Sequence, residues 1–588
     1  MSGIIHSRFV YLILFAFATI LYANTVFHDF VLDDEVAITK NEYVQKGIKG
    51  VPAIFTHDSF AGFGRIGDGE STLTGGRYRP LSVIIFAMIY EFFGRNPLPF
   101  HLINMLVYAL GSVSLFVFLN SVLRDHKDAR RVAFIITTVF IAHPVHAEVV
   151  ANSKSLDELL VLAFGMMALT AMLKSHDDGA MHWFVLASGA MLAACFAKEH
   201  GVMLLLVAPF VFYFFRKTTP SKIWRSLFPI ALAAGLFLLT RFLVMGDMVQ
   251  GRMMQDPLNN PFLQWTGEAW IACSGMTKVA TVIYTLGNYL RLMVFPFPLT
   301  HDYYPFHIAL QSFSNPLVIV SLVVLMGLLW LTIWGTIKKK TWAFGLLFFV
   351  ITGSVSSNVF FPVGTFMAER FLFLPSLGLI FSAAIWLFPF VRPQHKAIGL
   401  VFLSTVIVLF SGIALHRNKA WKSNEQLMAT DIRVSGNSIR LQNQYGILLL
   451  DKALIEENAD RKVSLLEQAK SHLSKATEMN PLYYDARLAS GACHYYLNEY
   501  EQSVQDYRAA FDAYPGDEKA ALGLHYALRA NGDQQWSAGD SLKAISNLSE
   551  AWQLAPDSAL ADQIAMWYEV MHNEDLAEEW RLKAYPNQ

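Results

Sequence analysis

Three carboxylates in a row, Asp33, Asp34 and Glu35, stand in the stretch FVLDDEVAITKN, directly after an apolar run, FVYLILFAFATILY, that reads as a membrane span. Ionisable groups at a membrane boundary are expensive to keep, so they are candidates for function. More such groups recur at the ends of other apolar runs: Arg77 and Arg79 in GGRYRPLS, His101 and Asn104 in FHLINML, and His143, His146 and Glu148 in AHPVHAEVV. Lys154 with Asp157, Lys198 with Glu199, Arg291, His301 with Asp302, and Glu369 with Arg370 complete the set. A carboxylate can take the proton from an attacking hydroxyl, and arginine or lysine can neutralise a departing phosphate. Moving a sugar from a lipid phosphate to a hydroxyl needs both at the lipid–water boundary. Neighbouring helical residues point about 100° apart, so Asp33 and Asp34 are expected to take different roles, one as base and one as its orienting partner. Which is which stays open, and an acidic triplet beyond a span equally reads as a solvated helix start. HPVHAE holds zinc-ligand types, but Pro144 interrupts a helix there and the four-residue His spacing of zinc motifs is absent, so no metal site is expected.

The elements that must hold these residues are mostly membrane helices. Hydrophobic residues make up 54% of the 588 and charged residues 16%, against about 25% charged in soluble domains. Runs of bilayer-spanning length fall near 9–26, 100–123, 132–149, 157–173, 181–197, 201–215, 226–244, 314–337, 341–360, 370–391 and 397–415. Two further stretches, 80–94 and 279–299, are assigned to interfacial or re-entrant helices. With a cytoplasmic N-terminus, about eleven spans put RDHKDARR, RKTTPSKIWR, KKK and RPQHK inside, as the positive-inside rule prefers. The candidate site residues and the C-terminal region then lie outside. The first run is expected to be a retained span, because no small-residue cleavage site precedes the acidic cluster. Net charge is −1, with no basic tract, which gives no nucleic-acid signature. Cys195, Cys273 and Cys493 are too few and scattered for a disulfide framework.

From about Ser423 the text becomes polar and helical, giving an expected membrane domain 1–422, with a first outer loop at 27–99, and a soluble domain 423–588. Pro481 and Pro515 are 34 residues apart, the tetratricopeptide period. Ala469, Leu473 and Ala476, then Ser503, Tyr507 and Ala510, then Ala544, Leu548 and Ala551 recur upstream of Pro481, Pro515 and Pro556. Gly491 and Gly523 stand where close helix packing excludes a side chain. The repeats read as a concave surface for an extended protein segment, or as a cap on the membrane domain.

The acidic pair after the first span, YRPLS, HLINMLVYAL, AHPVHAEVVAN, AKEHGV, YLRLMVFPFPLTHDYYP and AERFLFLPSLG, followed by tetratricopeptide repeats, resemble the transmembrane and tetratricopeptide repeat-containing protein O-mannosyltransferases. The resemblance implies an all-α, GT-C-type membrane domain. It also implies a polyprenyl-phosphate-linked sugar donor, inversion, and a Ser or Thr acceptor on an exported protein, and the repeats could engage that protein. The family's acidic motif falls on Asp33 and Asp34. Donor-phosphate binding is expected from Arg77, Arg79, Lys198 and Arg370, with support from Glu35, His143, His146, Glu148, Glu199, His301, Asp302 and Glu369. No cofactor is expected. The short repeat region fits a bacterial relative with its repeats in the periplasm, or the endoplasmic reticulum membrane if eukaryotic. Two alternatives stand beside this: a GT-C transferase acting on a lipid-linked oligosaccharide or glycolipid, against whose N-linked form the missing WWDYG counts, and a non-enzymatic membrane scaffold.

Overall fold

The computed structural model describes residues 8–63, 76–246, 258, 260–388 and 396–585. Its elements are almost all helices, gathered into two compact units, 1–434 and 435–588. The expected boundary after Lys422 therefore moves to Val434, because the helix Asn424–Asp431 packs and pairs within the first unit.

Seven helices among the described residues are long and apolar enough to cross a bilayer, which makes the chain a multi-pass membrane protein. Each expected span coincides with an apolar helix, but Met181–Ala197, Glu199–Phe215 and Thr341–Ser356 are shorter than a full span. The span expected as one helix over 132–149 is broken: Ala129–Ala142 and Pro144–Ala151 meet at 57°, since proline lacks the N–H that would continue the helix. Pro80–Phe93, with 14 residues, reaches only about 21 Å, short of a bilayer core of about 30 Å. Gly275–Val294 is not among the seven.

Burial sorts the helices. The segment Ser153–Asp178 is 83% buried and forms the centre of the first unit, whereas Pro316–Ile337 and Ala397–Ala420 are each 11% buried, leaving Val320, Val323 and Trp330 on the first and Val401 and Val408 on the second exposed to lipid. Small residues let helices close up: a Cβ on Gly345 would lie 2.3 Å from the Gly378 carbonyl oxygen. The central helix Leu156–Asp178 carries one polar cluster at each end. At its start Asp157 meets Arg79, and at its finish Asp177 receives Arg124 and, at 3.4 Å, Arg216. About 30 Å of helix separates the two, matching the two-sided charge pattern of the loops. One departure from the all-α expectation is a short antiparallel ribbon, Leu263–Trp265 with Trp270–Ala272.

The second unit stacks antiparallel helix pairs: Ile439–Ile455 with Ala459–Met479, Tyr484–Tyr496 with Tyr500–Ala513, Glu518–Ser537 with Ser541–Leu554, and Ser558–Val570 with Glu574–Ala584. The equivalent glycines are Gly446, Gly491 and Gly532. A Cβ there would press within 2.6 Å of Leu473, 2.8 Å of Tyr507 and 2.1 Å of Leu548, respectively. Gly523 is also at a close contact, as expected: a Cβ there would lie 2.2 Å from the Tyr507 ring of the preceding helix. The last pair extends the three expected repeats, with Ala565, Ala577 and Ala584 buried in its interior.

Candidate active site

The first span ends at Phe27 and the chain turns through Leu32, whose φ is +48°. That turn sends the two aspartates in different directions. Asp34 is fully buried, and its carboxylate accepts the N–H of Lys154 at 2.6 Å and of Val31 at 3.0 Å. Burial pushes this carboxyl up to about 7, against the pull of those two N–H groups. Asp33 keeps 52% of its side chain exposed and lies 3.9 Å from the Lys154 ammonium, which is itself 10% exposed. Lys154 therefore organises both acids, through its backbone for Asp34 and its side chain for Asp33. Glu35, expected to support the site, leaves it: its carboxylate pairs with exposed Lys40 at 2.6 Å.

The four expected phosphate-binding cations separate into two kinds. Arg79 is committed to Asp157 at 2.8 Å and Glu199 at 2.9 Å, and Glu199 also accepts the Tyr78 N–H. Lys198, buried, is held by Glu158 at 2.6 Å and Asp157 at 3.5 Å. These two cations and three carboxylates form a closed lattice, so neither is available as a donor-phosphate ligand without breaking it. Arg370 pairs with Glu148 at 2.6 Å but remains 28% exposed, and its backbone N–H is also bound by Glu148. Arg77 stacks over Phe60 at 5.0 Å, and among the described residues no carboxylate pairs with its guanidinium within 4 Å. Burial and the neighbouring Arg79 lower its basicity, and Asp33 partly restores it. Asp33 acts electrostatically on Arg370 as well, so the half-exposed acid sits among Lys154, Arg77 and Arg370.

His143 and His146 are a correction to the expected outer-face site, because both are core residues. His146 bonds Ser376 at 2.9 Å and Tyr108 at 3.3 Å, and its ring packs on Phe140 and Phe373. His143 reaches the Met293 carbonyl at 3.2 Å and Phe410. Among the described residues, no three His, Cys, Asp or Glu side chains converge as ligands for a metal ion.

A second cluster adjoins the first. Glu369, fully buried, accepts the Thr300 N–H at 2.7 Å and the Tyr303 hydroxyl at 2.9 Å through one oxygen. His301 donates its backbone N–H to Asp431 and pairs with it through Nδ1, both at 2.7 Å. Arg417 binds Asp431 through two hydrogen bonds of 2.5 and 2.9 Å. Asp302 is buried and accepts the Tyr304 N–H. These groups brace the backbone that leads into Arg370. Glu158, Arg417 and Asp431 were invisible as site residues in the sequence. Glu158 reads as a helix-start acid, while Arg417 and Asp431 fall in an ordinary span end and a polar tail.

No family model matches the chain. It is 25% identical over 536 residues to the human "Protein O-mannosyl-transferase TMTC3", covering 87% of this chain and 55% of that protein. The "Protein O-mannosyl-transferase F38B6.6" of Caenorhabditis elegans is 25% identical, covering 76% and 61%. The human "Protein O-mannosyl-transferase TMTC4" is 26% identical, covering 77% and 65%. The chain is similar to the TMTC proteins over most of its length. It spans little more than half the length of the TMTC3 protein it matches. Among solved structures it is similar to "Human IFIT1 dimer with PPP-AAAA", 12% identical over 75% of this chain and 93% of that one, at a TM-score of 0.20, too loose a superposition to describe the fold.

Proposed function

We propose that the chain is a membrane glycosyltransferase that moves a hexose, mannose as in the names of its relatives, from a polyprenyl-phosphate donor to Ser or Thr hydroxyls of exported proteins. The observation that carries this reading is the half-exposed carboxylate of Asp33, set 3.9 Å from Lys154 and within the field of Arg77 and Arg370. That is one base beside the cations a leaving phosphate needs.

In this scheme Asp33 takes the acceptor hydroxyl's proton as the oxygen attacks the anomeric carbon from the face opposite the phosphate. The bond from that carbon to the phosphate oxygen breaks, and the electron pair leaves with the polyprenyl phosphate. A single displacement inverts the sugar and needs one base, unlike a double displacement through a carboxylate nucleophile. Guanidinium groups carry the charge of the leaving phosphate, so the scheme calls for no metal. Asp34 holds the turn, and the Arg79–Asp157–Glu199–Lys198 lattice holds the floor. In this reading the repeats bind an extended segment of the exported acceptor protein.

Arg77→Gln is expected to raise the KM for donor by roughly ten- to a hundredfold, the worth of a charge-assisted hydrogen bond of about 1.5–3 kcal/mol, with a smaller change in the KM for acceptor peptide. Steady-state kinetics with each substrate varied in turn checks this. The reading as a whole is tested by mass spectrometry of intact exported proteins from cells with and without the gene product. Loss of a Ser/Thr-linked hexose supports it. Loss of a larger glycan supports oligosaccharide transfer instead, and unchanged glycans support a scaffold.

A further inference from the structure

The turn that presents Asp33 is held from outside its own loop. Leu32 sits in the left-handed backbone region, φ +48°, which a branched residue occupies only where its surroundings over-determine it. The determining contacts come from the segment after the last span. The Leu32 N–H donates to the Asn424 side-chain oxygen at 2.9 Å, and the Asp29 N–H donates to the Lys422 carbonyl at 2.9 Å. Val31 packs with Ala151, Ala420, Trp421 and Leu427, and both Val31 and Trp421 are completely buried.

Asn424 is free to do this because it is not the helix cap. Ser423 caps the helix Asn424–Asp431 by accepting the Gln426 N–H, so the Asn424 amide turns to Leu32. The other end of the same helix is pinned by Asp431 to Arg417 and His301. His301 follows Thr300, whose N–H binds Glu369. One short helix thus ties the Asp33 turn to the loop that braces Glu369 and Arg370.

We propose that Asn424 is a positioning residue for the transfer reaction: by accepting the Leu32 N–H it keeps the turn in the conformation that aims Asp33 at the acceptor hydroxyl. The proposal rests on the transferase reading above. Without that acceptor, Leu32 relaxes toward ordinary backbone angles and carries Asp33 with it, and a misplacement of about 1 Å is enough to cost on the order of a hundredfold in rate.

The test uses the full chain in detergent, a polyprenyl-phosphate mannose donor and a Ser/Thr peptide. Asn424→Ala and the similarly sized Asn424→Leu are expected to lower kcat by roughly ten- to a hundredfold while the KM for donor stays near wild type. Asn424→Asp, whose carboxylate can accept the same N–H, is expected to restore kcat, with the acid limb of the pH–rate profile moved to higher pH by the added negative charge. Hydrogen exchange over 29–34 should quicken in the Ala and Leu variants and not in the Asp variant. Wild-type kcat in Asn424→Ala or Asn424→Leu, unchanged exchange over 29–34, or an Asp variant as slow as the Ala variant overturns the proposal. Wild-type protein that transfers nothing overturns the reading on which it rests, and the proposal with it.

Discussion

Asp33→Asn lowers kcat for hexose transfer by about 10²–10⁴-fold, the usual contribution of a general base, and leaves both the melting temperature and the KM for donor near wild type. The expectation follows from exposure: half of the Asp33 side chain is accessible, so the amide costs little stability, yet it cannot take a proton. Asp34→Asn is expected to fail differently. The two carboxylate oxygens of Asp34 each receive a backbone N–H, from Lys154 and Val31. An amide offers one oxygen and turns its NH2 toward the other donor. A buried donor left unsatisfied costs about 1–3 kcal/mol, so this variant melts earlier, and any loss of kcat tracks the loss of folded protein. Thermal melting and kcat measured on the same purified samples separate the two aspartates.

Arg417→Met is expected to destabilise the membrane unit by about 3–5 kcal/mol, because it leaves Asp431 charged and buried with His301 as its main partner. Asp431 is fully buried, and Arg417 grips both of its oxygens. Burial works to raise the Asp431 carboxyl, but Arg417 and His301 overcome it and hold the group well below the usual carboxylate range. A folded-state value below the unfolded one means stability that is complete above about pH 4 and is lost as the pH falls toward the folded value. Removing both partners, as Arg417→Met with Asp431→Leu, should recover much of the stability, since a well-packed apolar pair often replaces a buried ion pair without loss. Melting curves of wild type and of the single and double variants, taken between about pH 2 and pH 8, check all three statements.

What the sequence disclosed and what it concealed divide by range of interaction. Apolar length placed the helices correctly, because a bilayer demands roughly twenty apolar residues of whatever chain crosses it. The same rule ran across Pro144 and missed the bend there, since hydropathy along 132–149 does not change at the break. Repeat spacing located Ala469, Leu473, Tyr507 and Leu548 in helix interiors. It located Gly523 at a close helix contact, on the Tyr507 ring, and missed Gly532, which meets Leu548 further along the same 20-residue helix Glu518–Ser537. The final helix pair lacks a glycine marker, with Ala565 in its place.

The candidate site was legible as an inventory and not as a set of roles. Asp33 and Asp34 are chemically identical and adjacent, and only the backbone of Leu32, Lys154 and Asn424, the last nearly the whole membrane unit away in sequence, makes one a buried brace and the other an accessible base. Arg79 and Lys198 resembled Arg77 and Arg370 for the same reason. Their neutralisation by Asp157, Glu158 and Glu199 depends on three segments meeting at the head of the central helix. His143 and His146, polar in type, became core because aromatic rings from distant helices close around them.

The most direct measurement is the anomeric configuration of the product, by NMR, after the purified full chain acts on a polyprenyl-phosphate hexose and a Ser/Thr peptide. A single displacement with Asp33 as base predicts one hexose on a hydroxyl oxygen with configuration opposite to that of the donor, formed at least about a hundredfold more slowly by the folded Asp33→Asn protein. A retained configuration, an unmodified peptide with the wild-type chain, or wild-type turnover by Asp33→Asn would contradict it.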